Sequence, residues 1–345
     1  MNIPILTIVV PSYNEEEVLS ETIIQLKSVM NYMISNLIVS DKSKILFVDD
    51  GSKDRTWELI YKESLNSETV KGLKLSRNVG HQNALLAGLF SAKDASDCLV
   101  TIDADLQDDV NAIVEMVKKY IEGYEVVYGV RSKRDSDTIF KRVTAESFYK
   151  LMDKLGVKLI FNHADFRLMS RRAVEELEQF AEANMFLRGI VPLIGFQSTS
   201  VYYERKERAA GETKYPLKKM LAFAFDGITS FSVTPIRFVM LVGCISFLVS
   251  LAFGVYFLAL KFFGNTELGW TSLITSIWLI GGLQLIALGL VGEYIGKIYK
   301  ETKRRPKYIV DIDLFNFPIS RKLMNTEGSK YEPITNDARK LAENN

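Results

Sequence analysis

The sequence predicts an α/β domain, a mainly parallel sheet with helices on both faces, followed by a pair of long apolar segments. Three observations predict it. Apolar runs of strand length alternate with helical stripes from Ile5 to Arg131. Three of those strands end in polar clusters, Tyr13-Asn14-Glu15, Asp49-Asp50 and Asp103 to Asp105, which a parallel arrangement gathers at one carboxyl edge. After Tyr215 the composition changes, and two uncharged apolar runs follow, Phe238 to Leu260 and Leu268 to Gly292. Each exceeds the roughly 20 residues that cross a bilayer.

Taken in order, Ile5 to Val10 is a continuous apolar run ending at Pro11. Asn14 and Glu17 have the spacing of a capping box, ahead of a stripe through Val18, Leu19, Thr22, Ile23, Leu26, Val29, Met30 and Met33. Ile45 to Val48 is the next strand, ending in Asp49-Asp50-Gly51-Ser52, and Asp54 can cap a helix reaching about Ser64. Leu73 to Leu75 leads into Ser76-Arg77-Asn78-Val79-Gly80 and a helix near Gln82 to Ala92. Leu99, Val100 and Ile102 form the strand before the acidic run, a helix spans about Val110 to Ile121, and a strand runs from Glu125 to Val130.

The acidic run Asp103-Ala104-Asp105-Leu106-Gln107-Asp108-Asp109 carries the sharpest chemical signal. Two carboxylates held together at a strand end repel unless a positive charge lies between them. A divalent cation carrying a diphosphate resolves that repulsion, because hard cations prefer oxygen ligands and share them with substrate phosphates. An ordinary strand-to-helix turn with Asp108 as its cap explains Asp108 or Asp109 but not the earlier pair. No GxGxxG follows the first strand and no GxxxxGK[ST] occurs, so the dinucleotide and P-loop readings find no support.

Composition excludes other classes. Net charge is +1, which offers no global attraction for nucleic acid. Cys98 and Cys244 lack metal-ligand spacing and read as small core residues, and two histidines, His81 and His163, are too few for a His-based metal site. The opening MNIPILTIVVPSYNEE lacks the basic region and cleavage site of a signal peptide.

Two later stretches are amphipathic. Ile139, Val143, Phe148, Leu151, Met152 and Leu155 form one stripe, best read as core packing. Leu217, Leu221, Ala224, Ile228 and Phe231, beside Lys218 and Lys219, form another that suits a membrane interface. Just before it, Arg205 to Tyr215 is a glycine-containing basic loop suited to an anionic head group. Arg237 precedes the first apolar run, and Lys297, Lys300, Lys303, Arg304, Arg305 and Lys307 follow the second, which places both outer ends in the cytosol. The expected organisation is a cytosolic catalytic domain over 1–215, an interfacial helix over 216–234, two transmembrane helices over 235–296 and a cytosolic tail over 297–345 with no long periodic segment.

With PSYNE, VDDGS, SRNVGH, DADLQD, a strand-end GVR and ERAAGETKY before two spans, the chain resembles the polyprenyl-phosphate glycosyltransferases of glycosyltransferase family 2 over about residues 3–300. Within that group it looks most like bacterial bactoprenol glucosyltransferases, and more distantly like dolichol-phosphate mannosyltransferase. The resemblance implies a GT-A (Rossmann-like) fold that binds a nucleotide-sugar donor and, at the membrane, a polyprenyl-phosphate lipid acceptor. Pro11, Tyr13, Glu15 and Asp50 then hold the nucleoside, and Asp103, Asp105 and Gln107 hold Mg²⁺ or Mn²⁺ and the diphosphate. Arg131, Arg208 and Lys214 match basic positions that handle phosphates, and Asp165 matches the acidic residue usually assigned as catalytic base. A phosphate acceptor is largely ionised already, so Asp165 has more to orient or stabilise than to deprotonate. The Gln-x-x-Arg-Trp motif of processive synthases is absent; the nearest segment, Met185 to Gly189, lacks its Gln and its Trp.

The leading expectation is an inverting transferase moving a hexose from a UDP-sugar, UDP-glucose, to undecaprenyl phosphate on the cytosolic leaflet, in a homo-oligomer. The alternatives are the same chemistry with N-acetylglucosamine, mannose or a formylated aminoarabinose, or a catalytically silent scaffold of the same shape.

Overall fold

A computed structural model describes residues 3–131, 163–180, 182, 187–204, 234–262 and 270–317. Both amphipathic stripes expected after Arg131, together with Arg208 and Lys214, lie outside the described residues. The described residues fall into two compact units. The first holds those up to 131, those from 163 to 204, and those from 305 onward; the second holds those from 234 to 304.

The first unit alternates strand and helix. In chain order it runs β1 (Leu6–Ser12), α1 (Leu19–Ser35), β2 (Lys44–Asp49), α2 (Thr56–Asn66), β3 (Val70–Leu75), α3 (His81–Ala92) and β4 (Cys98–Thr101). It continues with α4 (Ala112–Ile121), β5 (Val126–Arg131), β6 (His163–Ser170), α5 (Arg171–Glu178), a short α6 (Leu187–Ile190) and β7 (Ser198–Tyr203). Among the described residues the strands form one sheet in the order β7-β5-β6-β4-β1-β2-β3, and β8 (Val310–Asp313) completes it beside β3.

The sheet is mainly parallel, as expected, with two antiparallel strands that make it mixed. β1 pairs in parallel with β2 and β4, β2 with β3, and β5 with β7, but β6 runs antiparallel between β4 and β5, and β8 runs antiparallel to β3. The antiparallel β6 could not be read from alternation alone, because it enters from beyond Arg131 and turns back between two strands already laid down. Its consequence is local: with Thr101 opposite Arg167, the start of β6 lies at the edge where β4 ends.

Helices cover both faces, and β1 is accordingly buried along its whole length. Leu6, Ile8 and Val10 join α1, α4 and Trp57 in one buried cluster. Val9 and Val48 face α3, where a Cβ on Gly88 would come within 2.4 Å and 2.7 Å of their methyl groups. The expected α1 stripe is buried from Leu19 to Met33, each large apolar side chain contributing about 1.5–3 kcal/mol by leaving water. The expected capping box is not made: α1 starts at Leu19 with no side-chain cap. Asn14 instead adopts a left-handed backbone (φ 54°) and joins two loops, its N–H donating to Ser52 Oγ at 3.0 Å and its Oδ1 accepting from the Lys53 N–H at 2.9 Å.

The described part of the tail packs on the sheet. Beyond Arg305 it adds β8 to the β3 edge, the Leu314 N–H donates to the Gly72 carbonyl at 2.9 Å, and Leu314 is buried in the core.

The second unit contains α7 (Thr234–Phe262, 29 residues) and α8 (Trp270–Thr302, 33 residues). Among the described residues no helix presents a stretch long and apolar enough to cross a membrane; several side chains of α7 and α8 lie outside those residues. The side chains that are described include exposed Phe238, Met240, Leu248, Ile277, Leu285 and Ile286. Cys98 is buried as expected, but Cys244 is exposed, because it sits on the outer surface of α7.

Candidate active site

The carboxyl ends of β1, β2, β4 and β5 point to one edge, and the start of the antiparallel β6 joins them. The loops after β1 and β2 are latched together. Beyond the Asn14 contacts, the Glu15 N–H donates to Thr56 Oγ1 at 2.9 Å and the Glu16 N–H to Asp54 Oδ2 at 3.2 Å. Pro11 is buried in β1, Glu15 is half-buried, and Tyr13 stays 39% exposed at the mouth of the edge.

Asp50 is committed to the next loop. Its Oδ1 accepts from the Val79 N–H at 2.7 Å and its Oδ2 from the Gly80 N–H at 3.0 Å. Burial raises its carboxyl above the usual range, opposed by these two amides. The approach is close: Gly51 holds φ 68°, and a Cβ there would meet the Arg77 carbonyl carbon and the Asn78 nitrogen at 2.6 Å. Asp49, fully buried, accepts from the Ser52 N–H at 3.2 Å, while its Oδ2 has no hydrogen-bond partner among the described residues.

That loop delivers His81, the first residue of α3, to the centre of the edge. His81 Nε2 lies 3.3 Å from Asp103 Oδ1 and 3.7 Å from Asp165 Oδ2. Removal of water around Asp103 raises its carboxyl to about 6; Asp165, Asp108 and Asp105 add to the rise and His81 opposes it. With 36% of the Asp103 side chain exposed, solvent screens part of that crowding. Asp105 and Gln107 are half-buried beside it, the Gln107 N–H donating to Asp105 Oδ1 at 3.2 Å, and Leu106 between them takes a left-handed φ of 56°.

Two charge clusters flank this centre. At the start of β6, Asp165 Oδ1 accepts from Arg167 Nη2 at 2.6 Å, and Arg188 grips both oxygens, Nε to Oδ1 at 3.3 Å and Nη2 to Oδ2 at 3.2 Å. Burial alone would push the Asp165 carboxyl up, but the Arg188 and Arg167 guanidiniums outweigh it and hold it well below the usual carboxylate range. On the other side, Arg131 Nη2 donates to Asp108 Oδ1 at 3.1 Å, and Tyr203, paired opposite Arg131 in β7, donates its hydroxyl to the same oxygen. Asp108 is therefore not a helix cap; α4 begins after Asn111, whose N–H donates to Asp109 Oδ1 at 3.2 Å.

Of the residues expected from sequence, Asp103, Asp105, Gln107 and Asp165 are brought to one region, Asp50 supports the loop that carries His81, and Arg131 is tied to Asp108 and Tyr203. His81, Arg188 and Tyr203 had no assigned role. Only His81 offered a local signal, standing directly after Gly80 at a helix start.

An open α/β sheet binds its ligand in the crevice outside the carboxyl ends of its strands, which is where these acidic and basic side chains gather. Residues 7–178 match the Glycosyl transferase family 2 profile. The chain belongs to glycosyltransferase family 2 and is a glycosyltransferase. It is 61% identical to the uncharacterized glycosyltransferase YkoT of Bacillus subtilis (strain 168), over 92% of this chain and 94% of that one. It is 39% identical to the prophage bactoprenol glucosyl transferase homolog of Escherichia coli (strain K12), over 88% of this chain and 98% of that one. Glucosyl-3-phosphoglycerate synthase from Mycobacterium tuberculosis, solved with Mn²⁺, UDP-glucose and phosphoglyceric acid, aligns with a TM-score of 0.45 at 17% identity, covering 66% of this chain and 78% of that one.

Proposed function

We propose that this glycosyltransferase moves glucose from UDP-glucose to undecaprenyl phosphate, with inversion at the anomeric carbon, on the cytosolic leaflet of the cell membrane. The observation that carries the reading is the 39% identity to a bactoprenol glucosyl transferase homolog over 88% of this chain, which spans the site and both long helices.

The edge suits the chemistry. Asp103 and Asp105 are hard oxygen donors, and the crowding that raises Asp103 is what a divalent cation would relieve. Among the described residues no group of three or more His, Cys, Asp or Glu side chains forms a complete metal cage. Mg²⁺ or Mn²⁺ would be held by the two carboxylates, with Gln107 beside them and the donor phosphates filling other positions. Such an ion, when bound, stabilises negative charge gathering on the departing diphosphate. Pro11, Tyr13 and Glu15 border the nucleoside. Asp50 acts on it through the 79–81 loop that it holds. Arg131, Arg208 and Lys214 supply positive charge for phosphates.

The membrane placement has its own support. The sequence is free of charge from Phe238 to Leu260, inside α7, and from Leu268 to Gly292, most of which falls in α8, and the described side chains leave large apolar groups exposed. We read α7 and α8 as a transmembrane hairpin, residues 216–234 as an interfacial helix, and both outer ends as cytosolic.

The test is a transfer assay. Purified full-length protein is offered a panel of radiolabelled nucleotide sugars with undecaprenyl phosphate and Mn²⁺, and the lipid fraction is counted. Label from UDP-glucose alone is expected; label from another donor would reassign the sugar, and none from any donor would overturn the reading.

A further inference from the structure

Arg131 ends β5 and Tyr203 ends β7, and the parallel register sets them side by side. Asp108 reaches the same place from the acidic run after β4. Arg131 Nε donates to the Tyr203 hydroxyl oxygen at 3.3 Å, and Nη2 donates to Asp108 Oδ1 at 3.1 Å. The Tyr203 hydroxyl donates in turn to that carboxylate oxygen, which closes a triangle. Both anchors are packed: the Asp108 side chain is 1% exposed, and the buried Tyr203 ring meets Phe166 edge-on with centroids 5.3 Å apart. The Arg131 side chain is 26% exposed. A guanidinium carries five N–H donors, and among the described residues those on Arg131 Nη1 meet no acceptor.

Stability alone does not account for this triangle. Desolvating a carboxylate is costly, and Asp108 Oδ2 is buried with no hydrogen-bond partner among the described residues. What the triangle fixes is direction. We propose that Asp108 and Tyr203 are the positioning residues of Arg131, turning its guanidinium so that the remaining edge, Nη1 with the second N–H of Nη2, is offered to a phosphate-type oxyanion at the carboxyl edge of the sheet. The inference rests on the transferase reading above, which gives Arg131 a phosphate to bind, and it adds what aims that side chain. Asp108 by itself would hold the charge of Arg131, yet a single contact leaves the guanidinium plane free to turn about it. The Tyr203 hydroxyl on Nε removes that freedom. Recognition of a phosphate by a guanidinium depends on the plane, because the fork must meet two oxygens together. A side chain already held in place also loses less freedom on binding. The ammonium of an Arg131→Lys variant has no plane to set, so in that background the hydroxyl should contribute nothing.

The oxyanion is either the donor diphosphate or the acceptor lipid phosphate, and the two are separable. Full-length Tyr203→Phe, Arg131→Ala, Arg131→Lys and the two double variants are compared with wild type. The measurements are calorimetric binding of UDP with Mn²⁺, melting temperature, and steady-state kinetics that vary UDP-glucose and undecaprenyl phosphate separately. Tyr203→Phe keeps the ring and its packing and removes only the hydroxyl. We expect it to weaken one phosphate ligand by about fivefold, with kcat and the melting temperature little changed. Arg131→Ala should weaken the same ligand by about tenfold or more. Loss at UDP assigns the donor diphosphate; a raised KM for undecaprenyl phosphate alone assigns the acceptor phosphate. Placed on Arg131→Ala or Arg131→Lys, Tyr203→Phe should add less than about twofold. The proposal is overturned if Tyr203→Phe stays within about twofold of wild type on Kd and both KM values, or lowers kcat alone. It is equally overturned if the loss adds in full to that of Arg131→Ala or Arg131→Lys, since the hydroxyl would then act elsewhere. Should Tyr203→Phe melt far below wild type, Asp108→Asn takes its place in the same cycle. A wild type that neither binds UDP nor transfers from any donor removes the transferase reading, and this inference with it.

Discussion

On the β2 side of the sheet Asp50 accepts from the backbone of Val79 and Gly80, whereas on the β6 side Asp165 accepts from the side chains of Arg167 and Arg188. Both are buried aspartates at the same edge, but the partner decides the job. Backbone amides are neutral, so Asp50 shapes a loop and keeps its own charge, and burial leaves its carboxyl raised. Guanidiniums are cationic, so they offset the burial of Asp165 and hold its carboxyl well below the usual carboxylate range. Asp103 lies between the two regimes, next to carboxylates and one imidazole. A buried carboxylate is thus not a catalytic group by position alone; its donors must be known first.

The comparison breaks most visibly at Arg167. Arg167→Ala should take the buried donor from Asp165 Oδ1 and from the Leu187 carbonyl, leave the carboxylate to Arg188, and open a cavity, costing about 3–5 kcal/mol of stability, read as a large fall in melting temperature. A near-normal melt would mean that the buried pair contributes little. Next in size is Asp50→Ala, which takes the acceptor from two half-buried amides and should cost about 1–3 kcal/mol. Asp50→Asn keeps one acceptor and should cost about half as much. If both variants kept full stability and lost only UDP affinity, Asp50 would contact the nucleoside directly.

The smallest expected effect concerns pH. Asp103, raised to about 6, binds a proton more tightly in the fold than in the unfolded chain. In the metal-free protein it therefore costs stability above pH 6, and that cost fades as pH falls toward the unfolded value near 4. Asp165 has the opposite sign: it stabilises above about pH 4 and loses that contribution at lower pH. Because a proton competes for Asp103, Mn²⁺ affinity should drop by about tenfold per pH unit below 6 and level off above it. Calorimetry from pH 5 to 8 on wild type and Asp103→Asn checks this, the variant losing the slope. A flat wild-type profile would remove Asp103 from the cation site.

Features carried by local periodicity were readable in advance. The α1 stripe from Leu19 to Met33, the apolar strands and the Asp103–Asp105 pair need only neighbours in sequence. Asn14 misled, because the same side chain that caps helices also tolerates a left-handed backbone and bridges loops. Asp165 was found only by resemblance. Its partners could not be found, because Arg188 meets it through β6 running antiparallel between β4 and β5, a long-range choice without a local trace. The same holds for Tyr203, which reaches Asp108 only because β7 pairs with β5. In β8, Val310-Asp311-Ile312-Asp313 is too short and too polar to announce a strand.

That last strand has a consequence for how the molecule is made. Leu73 pairs with Asp313, so β3 waits for its outer neighbour until translation has passed both long apolar helices. During that interval the nascent sheet carries an open edge, the kind of surface that recruits foreign strands. Closing it requires a contact between residues far apart in the chain, which slows the final folding step. Biogenesis thus imposes an order: insertion of the apolar segments comes before completion of the sheet, and a ribosome stalled within α8 would leave β3 without its outer partner.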